Sequence, residues 1–137
     1  MKYFKIGLAA ATILLIIVFS AINPKKSADA LTYDPANELR LAGTVEEVQE
    51  FYCPVTQDRG AHLVLRTAED KSTTVHVGIG RFLREHRVAF SPGERVEVVG
   101  ANIRYQGQDA VIARQITRGN EVITLRDAAG KPLWQRD

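Results

Sequence analysis

Cysteine is almost absent from this chain: Cys53 is the one thiol in 137 residues. A single thiol cannot close an intramolecular disulfide, so the fold must rest on its core. Cys53 is then a buried group, a free thiol, a metal ligand or a bridge to another chain. Histidine is scarce too, with three residues, and no Ser/His/Asp arrangement for nucleophilic catalysis is readable. Acidic pairs such as Glu46-Glu47 and Glu69-Asp70 fall where strands and turns expose charge. Nothing in the sequence separates their pKa values, as acid–base chemistry requires. An enzyme is therefore not expected. Gly78-Ile79-Gly80-Arg81 opens a helix, but no phosphate-loop pattern surrounds it. Internal repeats and low-complexity segments are also missing.

Concentrated charge is the next absence. The chain carries +2 overall. Residues 1–30 hold Lys2, Lys5, Lys25 and Lys26 against Asp29, a net +3, which leaves −1 for everything after Ala30. The basic character belongs to the leader. Binding to a phosphate backbone rests on concentrated positive charge, so nucleic acid is disfavoured as a partner.

What is present begins with that leader. A positively charged start, Met1–Lys5, precedes Ile6–Ile22, 17 residues with no charge. As a helix such a run covers about 25 Å at ~1.5 Å per residue, against a hydrocarbon core of ~30 Å. Two readings remain open. Residues 1–30 are either a secretory signal cleaved after Ala28-Asp29-Ala30, with a site after Ser20 as a variant, or an uncleaved anchor. An anchor would hold the chain to the membrane through residues 6–22. No cysteine follows the run, which argues against lipid attachment. Both readings place the domain outside the cytoplasm, periplasmic or secreted and in the second case tethered to the cytoplasmic membrane.

Residues 31–38, with Asp34-Pro35, read as an irregular linker, and residues 39–137 as one domain. Alternation predicts a strand over Leu39–Phe51, with a bulge or bend near Glu46-Glu47. Cys53-Pro54 to Arg59-Gly60 reads as a loop. Ala61–Thr67 and Thr73–Ile79 alternate cleanly and form a hairpin. Gly80–Arg87 breaks the alternation and reads as a short helix. Strands follow over Arg95–Ile103, Ala110–Thr117 and Glu121–Arg126, separated by turns at Ser91-Pro92-Gly93, Gln106–Asp109 and Gly119-Asn120. Trp134 is expected to plug one end of the sheet or to pack on the last strand. The fold class is all-β with one short helix: a small five-stranded barrel, β-β-β-α-β, plus a C-terminal strand or hairpin extension.

A single helix between the third and fourth strands is the layout of the OB-fold. Through Ala42-Gly43-Thr44-Val45, the helix Arg81–Arg87 and Pro92-Gly93-Glu94-Arg95-Val96-Glu97-Val98-Val99-Gly100, the chain resembles secreted bacterial OB-fold-like domains. The resemblance covers about Leu39–Ile116. It implies a binding module rather than a catalyst.

Two residue sets are candidates for binding. Cys53, His62 and His76 form a sulfur and nitrogen donor set suited to copper or zinc. If Thr67 faces Thr73 across the hairpin turn, Val64 faces His76 and His62 faces Gly78. The two imidazoles are then diagonal neighbours on one face, about 7–8 Å apart. The plain alternative is two surface histidines and an inert buried thiol. The second set, Arg104, Tyr105 and Arg114, is a candidate stacking patch for a ligand or a single nucleic-acid strand. The favoured function is a non-enzymatic binding module of the cell envelope, for a small ligand, an ion or an envelope protein. A metal-handling protein and a nucleic-acid-binding OB module are the alternatives. Native mass spectrometry of protein expressed with its own leader and purified from the envelope tests export. A mass starting near Leu31 is expected if the leader is cut, and a mass that retains residues 1–30 if it is an anchor.

Overall fold

The computed structural model describes residues 31–67 and 70–135. The leader lies outside the described residues, and so do Ala68 and Glu69 of the turn expected at Ala68–Ser72. The order is β1 (Glu38–Cys53), β2 (Asp58–Arg66), β3 (Ser72–Ile79), α1 (Gly80–Glu85), β4 (Arg95–Tyr105), β5 (Gln108–Arg118) and β6 (Glu121–Thr124). A short 3-10 turn, Pro35–Asn37, precedes β1 and is capped by the Asp34 side chain. The protein is mostly β with one short helix, as its alternating pattern predicts.

The six strands form one sheet in the order β3-β2-β1-β4-β5-β6, with antiparallel neighbours. A parallel pairing of β3 with β5, Thr74–His76 against Ala110–Ile112, closes the sheet into a ring. On its far edge β5 is shared between two partners. Its first half meets β3, and its second half, Gln115–Arg118, meets β6.

Closure divides the side chains into two buried layers. Val45, Leu63, Leu65, Val75, Val77, Val98, Val111 and Ala113 point inward and form the main core. β-Branched residues suit this pleated surface. Phe82 and Leu83 of α1 join the same cluster. Arg87, at φ +55, ends the helix turn. The opposite face carries a smaller cluster of Ile103, Ala110 and Ile112, covered by Leu31, Tyr33, Val55 and Tyr105. Residues of the lead-in, the β1–β2 turn and the end of β4 therefore roof one outer patch of the ring.

Two local features differ from the alternation pattern and a third follows it. β1 runs on to Cys53 and β2 begins at Asp58, so the expected eight-residue loop is a tight turn with Gln57 at φ +56. Gly60 lies in the ladder opposite Phe51, not in a turn. A Cβ there would meet the Gly78 carbonyl oxygen at 2.7 Å, so glycine permits a close approach of two backbones. The bulge expected near Glu46-Glu47 is present, as a register shift between Val45 and Glu47.

Trp134 is half-buried and packs against the main core. Its ring lies over β3 at Gly78, where an added Cβ would come within 2.8 Å of it. It also meets Phe82, with ring centroids 5.3 Å apart. Gly78→Val should lift Trp134 from the sheet and destabilise the fold by about 1–3 kcal/mol, as overpacking does. Trp134 is the sole tryptophan, so its fluorescence should shift to the red in the variant. An unchanged emission maximum would mean that the ring does not rest on Gly78.

Candidate metal centre

Cys53, His62 and His76 come from three adjacent strands and share the outer face of the ring. Cys53 ends β1, His62 is in β2 and His76 in β3. Their parity is opposite to Leu63, Leu65, Val75 and Val77, which fill the interior. The expected register was two residues out. Thr67 pairs with Lys71 across the turn, its N–H donating to the Lys71 carbonyl, and Asp70 takes φ +54 to tighten it. The shorter turn slides β3 by two residues, so parity survives but partners change. Val64 faces Thr74, and His62 faces His76 directly. A bulge between Ala61 and His62 then resets the ladder.

All three side chains are buried, His62 and His76 at 0% and 1% exposure. The surface-histidine alternative therefore does not hold. One donor atom from each residue lies within 4.8 Å of the others. Cys53 Sγ is 3.2 Å from His76 Nδ1, in a hydrogen bond whose direction follows the tautomer of His76. The two imidazoles meet edge to face with centroids 4.6 Å apart. Phe51 stacks flat on His62, 3.9 Å away and inclined by 4°. Tyr105 closes on His76 edge to face at 4.8 Å.

Both nitrogens of His62 and Nε2 of His76 are buried without a hydrogen-bond partner. Burial without a partner disfavours the charged imidazolium. It pushes His62 down to about 4, and the Gly60 backbone, outside good hydrogen-bond geometry, opposes the shift only weakly. His76 is likewise pushed down to about 4, by burial first and then by His62 and Arg126. The pair is thus held as neutral imidazoles with three lone or N–H positions unanswered. An orphaned buried polar atom is costly, at about 1–3 kcal/mol. Neutral imidazole is also the form that ligates a metal ion.

Arg126 is the residue that sequence reasoning missed. It follows β6 and is 2% exposed. Its Nη1 donates to the Ala113 and Val77 carbonyls, bridging β5 and β3 just beyond their paired segment. Its guanidinium also lies 4.9 Å from the centre of the Trp134 ring. Burial lowers its pKa to about 10, while Tyr33 and Cys53 act in the opposite direction. Its charge is one of the causes that lower His76. The only cue in the sequence is an arginine in a strand-like run, which reads equally well as solvent-facing.

Residues 37–123 match the profile of the MamS/MamX magnetosome protein family. The chain belongs to that family. No curated protein matches the chain. The segment matched to the MamS/MamX family holds all three donors, Cys53, His62 and His76, and ends before Arg126 and Trp134.

The second candidate set is not brought together. Arg104 pairs with Asp109 at 3.2 Å and donates to the Gly107 carbonyl at 2.6 Å. Arg114 sits at the β5 bulge, five positions further along, and forms a fork with Glu38 through bonds of 2.9 and 2.7 Å. Tyr33 donates to the same carboxylate at 2.6 Å, and these contacts hold Glu38 below the usual carboxylate range, the Arg114 bond being the largest cause. Tyr105 belongs to the histidine site instead. The two arginines are committed to internal partners on different parts of the ring.

The histidine shifts fix a pH dependence. In the unfolded chain the two residues titrate near about 6.5, and in the fold near 4. Between these values the unfolded chain binds more protons, so stability is highest above about pH 6.5 and falls on acidification. Glu38, Glu46 and Glu94 are held low and act below that window. Urea unfolding of the metal-free chain should show a midpoint that drops between pH 7 and pH 5, and a flat midpoint would show the histidines to be hydrated. The double variant His62→Leu with His76→Leu should lose most of that slope.

Proposed function

We propose that this chain is a non-enzymatic, magnetosome-associated module that holds one thiophilic transition-metal ion through Cys53, His62 and His76. The observation that carries the reading is the convergence of three buried donors, with three of the four imidazole nitrogens lacking a hydrogen-bond partner. A bound ion would take one nitrogen from each imidazole together with the Cys53 sulfur, and so engage all three side chains at once. Sulfur and imidazole ligands suit copper or zinc, and no carboxylate belongs to the group. The family match supports a magnetosome association, and the leader supports delivery outside the cytoplasm, with residues 6–22 as a membrane tether if it is not cut.

The chain's own residues would do four things in such a site. Cys53 would give up its thiol proton and supply the thiolate. His62 and His76 would offer neutral nitrogens, already free of protons at neutral pH. Phe51 and Tyr105 would hold the imidazole planes and keep water out. Arg126 would fix the β3–β5 seam behind them. The ring order, with one helix between the third and fourth strands, supports an OB-like reading of the scaffold, and the site would then lie on its outer face rather than in its interior.

Metal titration of the full-length chain tests this. Cobalt(II) is a convenient probe, because a thiolate ligand gives it an intense charge-transfer band. One ion per chain is expected, and Cys53→Ser should abolish the band. His62→Gln and His76→Gln should each weaken binding at least tenfold. At a free ion concentration 100 times Kd, binding should stabilise the fold by about 2.7 kcal/mol and raise Tm by about 10 °C or more. Unchanged affinity in both histidine variants would refute the assignment.

A further inference from the structure

We propose that the Cys53–His62–His76 site is built for copper in its +1 state, in preference to zinc(II) or iron(II). The inference rests on the metal-binding reading and adds the identity and charge of the ion. Three observations support it.

The first is donor number. One sulfur and two imidazoles make a three-donor set among the described residues, with no fourth histidine, cysteine or carboxylate in the group. Zinc in a closed protein site takes four ligands. A three-coordinate shell of soft and borderline donors is ordinary for copper(I), and soft sulfur selects it.

The second is the cover. Phe51 lies flat on His62, and Tyr105 stands against His76. Ile112 is the cross-strand partner of His76, and the Ile103, Ala110 and Ile112 cluster adjoins it on the same outer face. Phe51, Tyr105 and Ile112 thus flank the donors with aromatic and aliphatic surface, which leaves a water molecule less room to complete a tetrahedral or octahedral shell. Zinc(II) and iron(II) depend on such extra ligands more than copper(I) does.

The third is charge. Once Cys53 has released its proton to solvent, its thiolate carries −1 and both imidazoles are neutral. Arg126 contributes +1 where its Nη1 reaches the carbonyl of Val77, the residue after His76. Its contacts are two carbonyls and an indole face. Protein charge at the site therefore sums to zero. A monovalent ion leaves +1 in this buried volume and a divalent ion leaves +2. The solvation penalty of burying charge grows as its square, so the divalent ion is penalised about fourfold more.

The test is anaerobic titration of the full-length chain with copper(I) against a chromophoric copper(I) chelator, with parallel titrations of zinc(II) and iron(II). One copper(I) per chain is expected, with a Kd at least 100-fold below that for zinc(II) and no retained iron(II). Cys53→Ser, which changes one atom, should weaken copper(I) by at least 100-fold. X-ray absorption on the wild-type complex gives a readout independent of any variant, and should show one sulfur and two nitrogens at three-coordinate copper(I). Zinc(II) bound as tightly as copper(I), or a four-coordinate copper centre, would overturn this inference and leave the metal-binding module standing. Failure of all three ions to bind would overturn both.

Discussion

The parallel contact of Thr74–His76 with Ala110–Ile112 turns an open sheet into a ring. Without it β3 would be a free edge, its amides and carbonyls open to any passing strand. The contact is short, and just beyond its end the Arg126 side chain takes over, donating to the carbonyls of Val77 and Ala113. A guanidinium has five donors in a rigid fork, so it can span two strands that have diverged too far for a ladder. The chain thus uses a buried cation to complete a seam made of backbone.

That seam creates the second layer. Inside the ring, alternate residues of β2, β3 and β5 pack an aliphatic core. Outside it, the other half of the same strands would face water were it not roofed by Tyr33, Val55, Tyr105 and Trp134. The roof has a consequence for histidine. On a solvated strand face His62 and His76 would be ordinary polar residues. Under the roof they are neutral, stacked and short of partners. Unmet polar atoms in a core weaken a fold, and a donor set that meets a ligand is the usual setting in which such atoms are kept.

Binding and stability are coupled in such an arrangement. The apo state carries orphaned imidazole nitrogens and a buried cation, and a bound ion with its thiolate would relieve part of both costs. Metal affinity and folding free energy then share one source, as in other sites that exist only in the folded chain. Residues 37–123, which match the MamS/MamX magnetosome protein family, include all three donors.

Sequence alone determined the parts that local physics governs. Alternating Val, Leu and Ile fixed the strands, the bulge near Glu46, the helix between β3 and β4 and the turns at proline and glycine. It also brought Cys53, His62 and His76 to one face, because parity along a strand does not depend on register. Register itself depended on how tightly the turn after Thr67 closes, and sequence spacing placed His62 opposite Gly78 instead of His76. Burial of the histidines was equally out of reach. It arises from Phe51, Tyr105 and Ile112 arriving from β1, β4 and β5, and from the β3–β5 seam, a non-local pairing that no short-range pattern encodes. Arg126 shows the limit most clearly. Arginine on a strand reads as solvent-facing, and only the tertiary structure, by bringing the Val77 and Ala113 carbonyls within its reach, gave it a reason to be inside.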